Sequence, residues 1–320
     1  MRAIAPPRVE RGQTIGVVAP AGPVNPVRLK AGLARLGDAF RVKLAPTLER
    51  SLAESAFVRE PGVPSYLAAS DETRAAELTA LLADPDVRAV VLARGGYGLM
   101  RILPRLDPAV LQRDPKPIVG FSDATALLAW AYAAGVRGIH GPMIAQLADL
   151  SEGDVVRLID VLTDPRPPGV RPWSLVAHGK GVYRGPLVTA NLTIASMLVG
   201  TPWALPLAGA IAVLEEVGER PYELDRYMTQ LALTGALAQP AAVVLGDLVR
   251  CVDHHPPTGV PDPADAAEAT VLERLRAAGT AAATGAPIGH GNRNEAVPFG
   301  ALAVLDLDRA TLEITEGAVA

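Results

Sequence analysis

Several short stretches of this sequence carry side chains with chemistry to offer. Ser122 stands in Gly120-Phe121-Ser122-Asp123-Ala124, after the apolar run 117–120 and before an alanine- and leucine-rich stretch. A strand-to-helix turn of this kind lifts a hydroxyl above a sheet edge. It also aims the following backbone N–H groups, with the helix dipole behind them, at the place where an oxyanion would develop. The full nucleophile-elbow pattern has glycine where Ala124 stands, so this is not the α/β-hydrolase signature. The plainer reading is a serine that caps the helix beginning near Asp123. Arg94-Gly95-Gly96-Tyr97-Gly98 also follows an apolar run. Its glycines let backbone amides approach an anion closely, or they simply make a tight turn. The stretch matches neither G-x-G-x-x-G nor G-x-x-x-x-G-K-[ST], so nucleotide binding has no specific support.

An acyl-transfer serine needs a base, and the base needs an acid to orient it. Leu214-Glu215-Glu216-Val217-Gly218-Glu219 ends an apolar run and offers three carboxylates, unless they are surface charges on a loop. Among five histidines, His290 stands between glycines in Gly289-His290-Gly291-Asn292. A freely shaped backbone and little neighbouring bulk let such a ring reach into a cleft, although a lone histidine there also suits a surface turn. Cys251-Val252-Asp253-His254-His255 holds ligand types for zinc. Adjacent histidines rarely project to one point, and two prolines follow, so a loop is the better reading.

The elements that must position these residues are legible in outline. Runs at 14–19, 40–45, 87–93 and 117–120 read as strands, with helices over 26–36 and from Ser70 or Asp71 to residue 83. Strands alternating with helices predict a doubly wound parallel sheet. Residues 164–172 carry four prolines, a composition that continues neither helix nor interior strand. That segment predicts a domain division: 1–163, a linker over 164–175, and 176–320. The second half predicts strands at 210–214, 242–246 and 301–305, with helices near 191–199, 221–234 and 263–278. The last helix is expected to open on Asp262 as cap and Pro263 in the first turn.

At 320 residues the chain suits two domains, each able to bury a core. Thirty basic against thirty-four acidic side chains give a net charge of −4, which leaves no electrostatic footprint for nucleic acid or an acidic membrane. A single cysteine excludes an internal disulfide. The uncharged run 185–214 is long enough to span a bilayer by count, but Pro186, Gly200, Pro202 and Pro206 interrupt it. It reads as loop, buried helix, loop and strand. The first thirteen residues lack the apolar core of a signal peptide, so the cytoplasm is the expected location.

Taken in order, seven segments resemble the serine L,D-carboxypeptidase family of muramoyl-tetrapeptide carboxypeptidases and microcin-immunity peptidases. They are IGVVAPAGPV (15–24), SDETRAAELTALLADPDVRAVVLARGGYG (70–98), GFSDATAL (120–127), IHGP (139–142), NLTIASMLVGTP (191–202), LEEVGERPYELDR (214–226) and GHGNRNEAVPFGALAVLD (289–306). The resemblance implies a flavodoxin-like N-terminal domain, a smaller α/β C-terminal domain and a homodimer. It implies Ser122 as nucleophile, Glu215 as acid and His290 as base, a triad assembled across both domains. Oxyanion donors would be the amides of Asp123 and Gly96, with no metal and no cofactor. The implied substrate is a muropeptide tetrapeptide that loses its terminal D-alanine during peptidoglycan recycling. The alternatives are a microcin-type peptidase acting on peptidyl-nucleotide conjugates and a non-catalytic ligand-binding protein.

Overall fold

A computed structural model of the chain describes residues 3–320 except 255, 257, 258 and 261. It divides into two compact units, Met1–Pro167 with Glu295–Gly300 and Gly317–Ala320, and Pro168–Asn294 with Ala301–Glu316. A division that gives all of 176–320 to the second domain is therefore corrected in two places. Val297–Phe299, buried at every position, returns to the first unit and pairs antiparallel with Gly138–His140. The apolar triplet covers the edge of Gly138–His140 and becomes the outermost strand of that sheet, where Pro298 is tolerated.

In the first unit, β1 (Thr14–Val18), β2 (Arg41–Leu44), β3 (Val87–Leu92), β4 (Ile118–Gly120) and β5 (Gly138–His140) pair in parallel in the order β5-β4-β3-β1-β2. That is the flavodoxin-like order, 2-1-3-4-5, whose direction reverses beside β1. Apart from Thr14 and the half-buried Arg88, the central strands β1, β3 and β4 are apolar and buried, as expected where helices cover both faces of such a sheet. Asn25 caps Pro26–Arg35, and Ser70 caps Asp71–Ala83 by accepting the Thr73 amide at 3.1 Å. Thr125–Ala133, apolar on every side, is almost entirely buried. The segments leaving the carboxyl ends of β1 and β3 are stitched together: Ala93 N–H donates to Val18 (2.8 Å) and Gly22 N–H to Gly95 (2.9 Å).

The second unit is built on an eight-stranded sheet. Its central strands Val182–Asn191, Ile211–Val217, Ala242–Val249 and Ala281–Thr284 are parallel, and shorter strands pair antiparallel at both sides. Two sequence expectations need correction here. Residues 185–190 are strand, not loop: the Gly185-Pro186 pair reads as a break, yet Pro186 lies opposite Leu302 in a continuous ladder. The last helix runs over Ala266–Ala277, because a turn closed by Ala266 N–H on the Pro263 carbonyl (3.0 Å) precedes it. Among the described residues no helix is long and apolar enough to cross a membrane, and no group of three or more metal-ligating side chains could hold an ion. His255 of the Cys251-to-His255 stretch lies outside the described residues.

Candidate active site

Ser122 occupies the turn after β4 with φ of +61°. An L-residue in the left-handed region costs about 1–2 kcal/mol, and strain of this kind concentrates at functional positions. The serine does not cap the following helix; the one-turn helix Ser122–Ala124 has Phe121 at its N-cap position and no side-chain cap. Gly120 makes the sharp turn feasible, since a Cβ there would stand 2.7 Å from the Ala124 Cβ. With alanine at 124, the space is already spent. The glycine turn after β3 passes directly beside the serine: a Cβ on Gly95 would lie 3.2 Å from the Ser122 Cβ and 3.4 Å from its Oγ. Gly96, next in that turn, has φ of +107°.

Asp123 follows the serine and is buried. Its Oδ2 accepts the Leu99 N–H at 2.9 Å, while Oδ1 has no hydrogen-bond partner. Burial pushes this carboxyl up to about 6; the Leu99 amide and the nearby Arg74 charge pull the other way without prevailing. Arg74 is itself fully buried. It donates to the carbonyls of Pro20 (2.5 Å), Gly98 (2.9 Å) and Ala69 (3.1 Å) and pairs with Asp71. Nothing in its local sequence distinguishes it from a surface arginine on a helix, so sequence reasoning passed over it.

In the second unit the structure brings Glu215 and His290 together, 75 residues apart in sequence, with Glu215 Oε2 2.7 Å from His290 Nδ1. Glu215 is wholly buried in Ile211–Val217, and the ring is one-fifth exposed. Burial raises the Glu215 carboxyl, and the hydrogen bond and charge of His290 oppose that rise. With Nδ1 engaged by the carboxylate, Nε2 is the nitrogen left to exchange a proton. Both flanking glycines sit in tight places: Gly289 has φ of +134° and a Cβ there would stand 3.0 Å from Glu215 Oε2, and one on Gly291 would collide with the Asp247 carboxylate. Asp247 accepts the Gly291 amide at 3.1 Å and so braces the histidine loop. It is a second residue the sequence reading missed, its only signal being its place after an apolar run.

The adjacent acids do different work. Successive side chains of a strand face opposite ways. Glu216 therefore turns away from the ring and accepts from Asn191 Nδ2 (2.8 Å), the Thr193 amide (2.8 Å) and hydroxyl (2.7 Å), and the Val217 amide (2.8 Å). Glu219 lies beyond the strand and accepts from the Tyr227 hydroxyl at 3.0 Å.

The chain matches the models for the LD-carboxypeptidase N-terminal domain over residues 15–141 and the LD-carboxypeptidase C-terminal domain over 184–305. A putative carboxypeptidase of Streptomyces coelicolor is 35% identical, covering 99% of this chain and 97% of its own. This chain belongs to the LD-carboxypeptidase family. The murein tetrapeptide carboxypeptidase of Pseudomonas aeruginosa is 34% identical over 76% of this chain and 80% of its own length. A solved structure of the microcin immunity protein MccF with glutamyl sulfamoyl guanosine superposes with a TM-score of 0.84 over 99% of both chains, at 20% identity. That likeness is one of fold. Membership establishes a peptidase with carboxypeptidase relatives.

Proposed function

We propose that this member of the family is a serine L,D-carboxypeptidase that releases the terminal D-alanine of muropeptide tetrapeptides during peptidoglycan recycling, as a homodimer in the cytoplasm. The observation that carries the reading is the buried Glu215 held on His290 Nδ1 in a chain that also presents a strained serine beside a glycine turn. The substrate class comes from the 34% identical relative named for murein tetrapeptides.

Ser122 at its ordinary pKa is a poor nucleophile at neutral pH, so His290 Nε2 takes its proton as Oγ attacks the scissile carbonyl. Glu215 holds the ring in the tautomer with Nδ1–H and stabilises the imidazolium that forms. The amides of Gly96 and Asp123 receive the oxyanion. Collapse of the tetrahedral intermediate expels D-alanine, whose amine takes the proton from His290. Water then cleaves the acyl-enzyme by the same route, restoring Ser122. No step calls on a metal or a cofactor.

The test is a parallel assay of a muropeptide tetrapeptide and the pentapeptide ending in D-alanyl-D-alanine. Inverting the α-carbon beside the scissile carbonyl swaps hydrogen and side chain, which moves the carbonyl out of reach of its donors. A misplacement of about 1 Å costs roughly a hundredfold. D-Alanine is expected from the tetrapeptide alone, and Ser122→Ala should lower that rate by several orders of magnitude in a folded protein. Equal release from both substrates overturns the stereochemical assignment. Release from neither, with cleavage of a glutamyl sulfamoyl nucleoside, moves the reading to microcin-type conjugates. A chain that leaves both untouched and ignores fluorophosphonates is a binding protein.

A further inference from the structure

The peptide bond between Gly98 and Leu99 is held from both sides. Its carbonyl accepts Arg74 Nη1 at 2.9 Å, and its N–H donates to Asp123 Oδ2 at 2.9 Å. In a trans peptide the C=O and N–H point in opposite directions, so two partners in this arrangement fix the orientation of the whole plane. All three participants are buried: Arg74 and Leu99 completely, and Asp123 at 2% exposure. The same Nη1 also grips the Pro20 carbonyl in the segment that leaves β1. Asp71, which pairs with Arg74, also binds Arg101 through its other oxygen. There is no slack at Gly98, where a Cβ would stand 2.7 Å from Leu67 Cδ2 and 2.8 Å from Arg74 Nη1.

We propose that Asp123 and Arg74 are positioning residues whose clamp on the Gly98–Leu99 peptide sets the distance between the serine turn and the glycine turn, and so pre-organises the oxyanion site. The inference rests on the proposed serine mechanism and adds a role for the Asp123 side chain distinct from that of its amide. Asp123 is the residue after the nucleophile, and Leu99 lies three residues after Gly96. One side-chain hydrogen bond thus spans the two segments whose amides must converge on one oxygen. Donors aimed before the reaction need no reorganisation during it, which is why their placement acts on the transition state. Burial converts this hydrogen bond into a rigid link, because water cannot replace Leu99's acceptor.

The experiment compares Asp123→Ala and Asp123→Asn with the wild type in three measurements: hydrogen exchange at the Leu99 amide, steady-state release of D-alanine, and the rate of fluorophosphonate labelling at Ser122. Asparagine keeps a carbonyl acceptor and alanine keeps none. Asp123→Ala should expose the Leu99 amide and lower kcat by about a hundredfold with KM within about twofold, since misplaced donors weaken the transition state more than the ground state. Labelling should slow in step, because the phosphonyl adduct uses the same donors. Asp123→Asn should restore protection of Leu99 and bring kcat to within about tenfold of wild type, the worth of one charge-assisted bond made neutral. Should Asp123→Ala fail to fold, Arg74→Lys tests the other side of the clamp; a single ammonium loses the planar fork and should give the same split between kcat and KM. Exposure of Leu99 with unchanged kcat and labelling overturns the proposal, as does a loss confined to KM. If the wild type labels at Ser122 but releases no D-alanine, the substrate reading fails while the labelling rates still judge the clamp.

Discussion

Glu215 and Glu216 are neighbours of the same chemical type, yet the strand turns one to the histidine and the other to a polar cradle. The consequences of removing each charge therefore differ in kind. Glu215→Gln keeps a side chain that can touch Nδ1 but allows the wrong tautomer and cannot stabilise the imidazolium. Its kcat should fall by roughly 10³- to 10⁴-fold with the fold intact. Glu216→Gln leaves the ring alone but puts an NH2 where a carboxylate oxygen now accepts donors, which should cost about 1–3 kcal/mol of stability with near-normal kcat in the folded fraction. Kinetics and thermal melts on both variants check this; a stable, inactive Glu216→Gln enzyme would refute the assignment of the acid. In the sequence all three carboxylates of 214–219 were candidates. Strand alternation narrows them only once the facing residue is known, and His290 is supplied from a distant part of the chain.

At the scale of elements, the turn at 94–98 shows how backbone conformation and crowding combine. Gly98 has φ of +126° and no room for a Cβ, whereas Gly62 has φ of +78° with nothing within 4 Å of the corresponding position. Gly62→Ala should bear only the backbone penalty, about 1 kcal/mol. Gly98→Ala should carry that penalty plus a collision with Leu67 and the Arg74 guanidinium, for a total of about 2–4 kcal/mol. Denaturant midpoints of the two variants give the comparison; equal losses would mean that the space around Gly98 yields. Local pattern located the strands β1, β3 and β4 to within a residue or so, since apolar runs bounded by glycine, proline and aspartate are strong signals. It misread 185–190 because a glycine–proline pair looks like an interruption unless the neighbouring strand is known.

For the whole molecule, buried carboxyls give stability a definite pH dependence. Asp123 titrates at about 6 in the folded chain, against an ordinary aspartate value near 3.9 when unfolded. Between those values the native state binds more protons than the unfolded one, so stability falls as pH rises through the window. The span allows a loss of about 3 kcal/mol at most from this residue. Burial gives Glu215 the same sign. Partly exposed acids held down by arginines, such as Asp164 and Glu223, act in the opposite sense but are screened by solvent. Unfolding free energies at pH 4.5 and 7 should therefore show a smaller decline in Asp123→Asn than in wild type. Parallel curves would show that Asp123 is not the group responsible.

The sequence by itself determined the class of fold, because alternating apolar runs and helical stretches leave few topologies other than a doubly wound sheet. It also singled out Ser122, His290 and the glycine turn, since those residue types between strands and turns are chemically distinctive. Tertiary structure alone decided that Glu215 faces His290, that Glu216 does not, and that Arg74 and Asp123 hold one peptide plane between them. It also returned Val297–Phe299 to the first sheet. Each of these depends on residues far apart in the chain meeting at hydrogen-bond distance, and local propensity holds no information about which distant partner arrives.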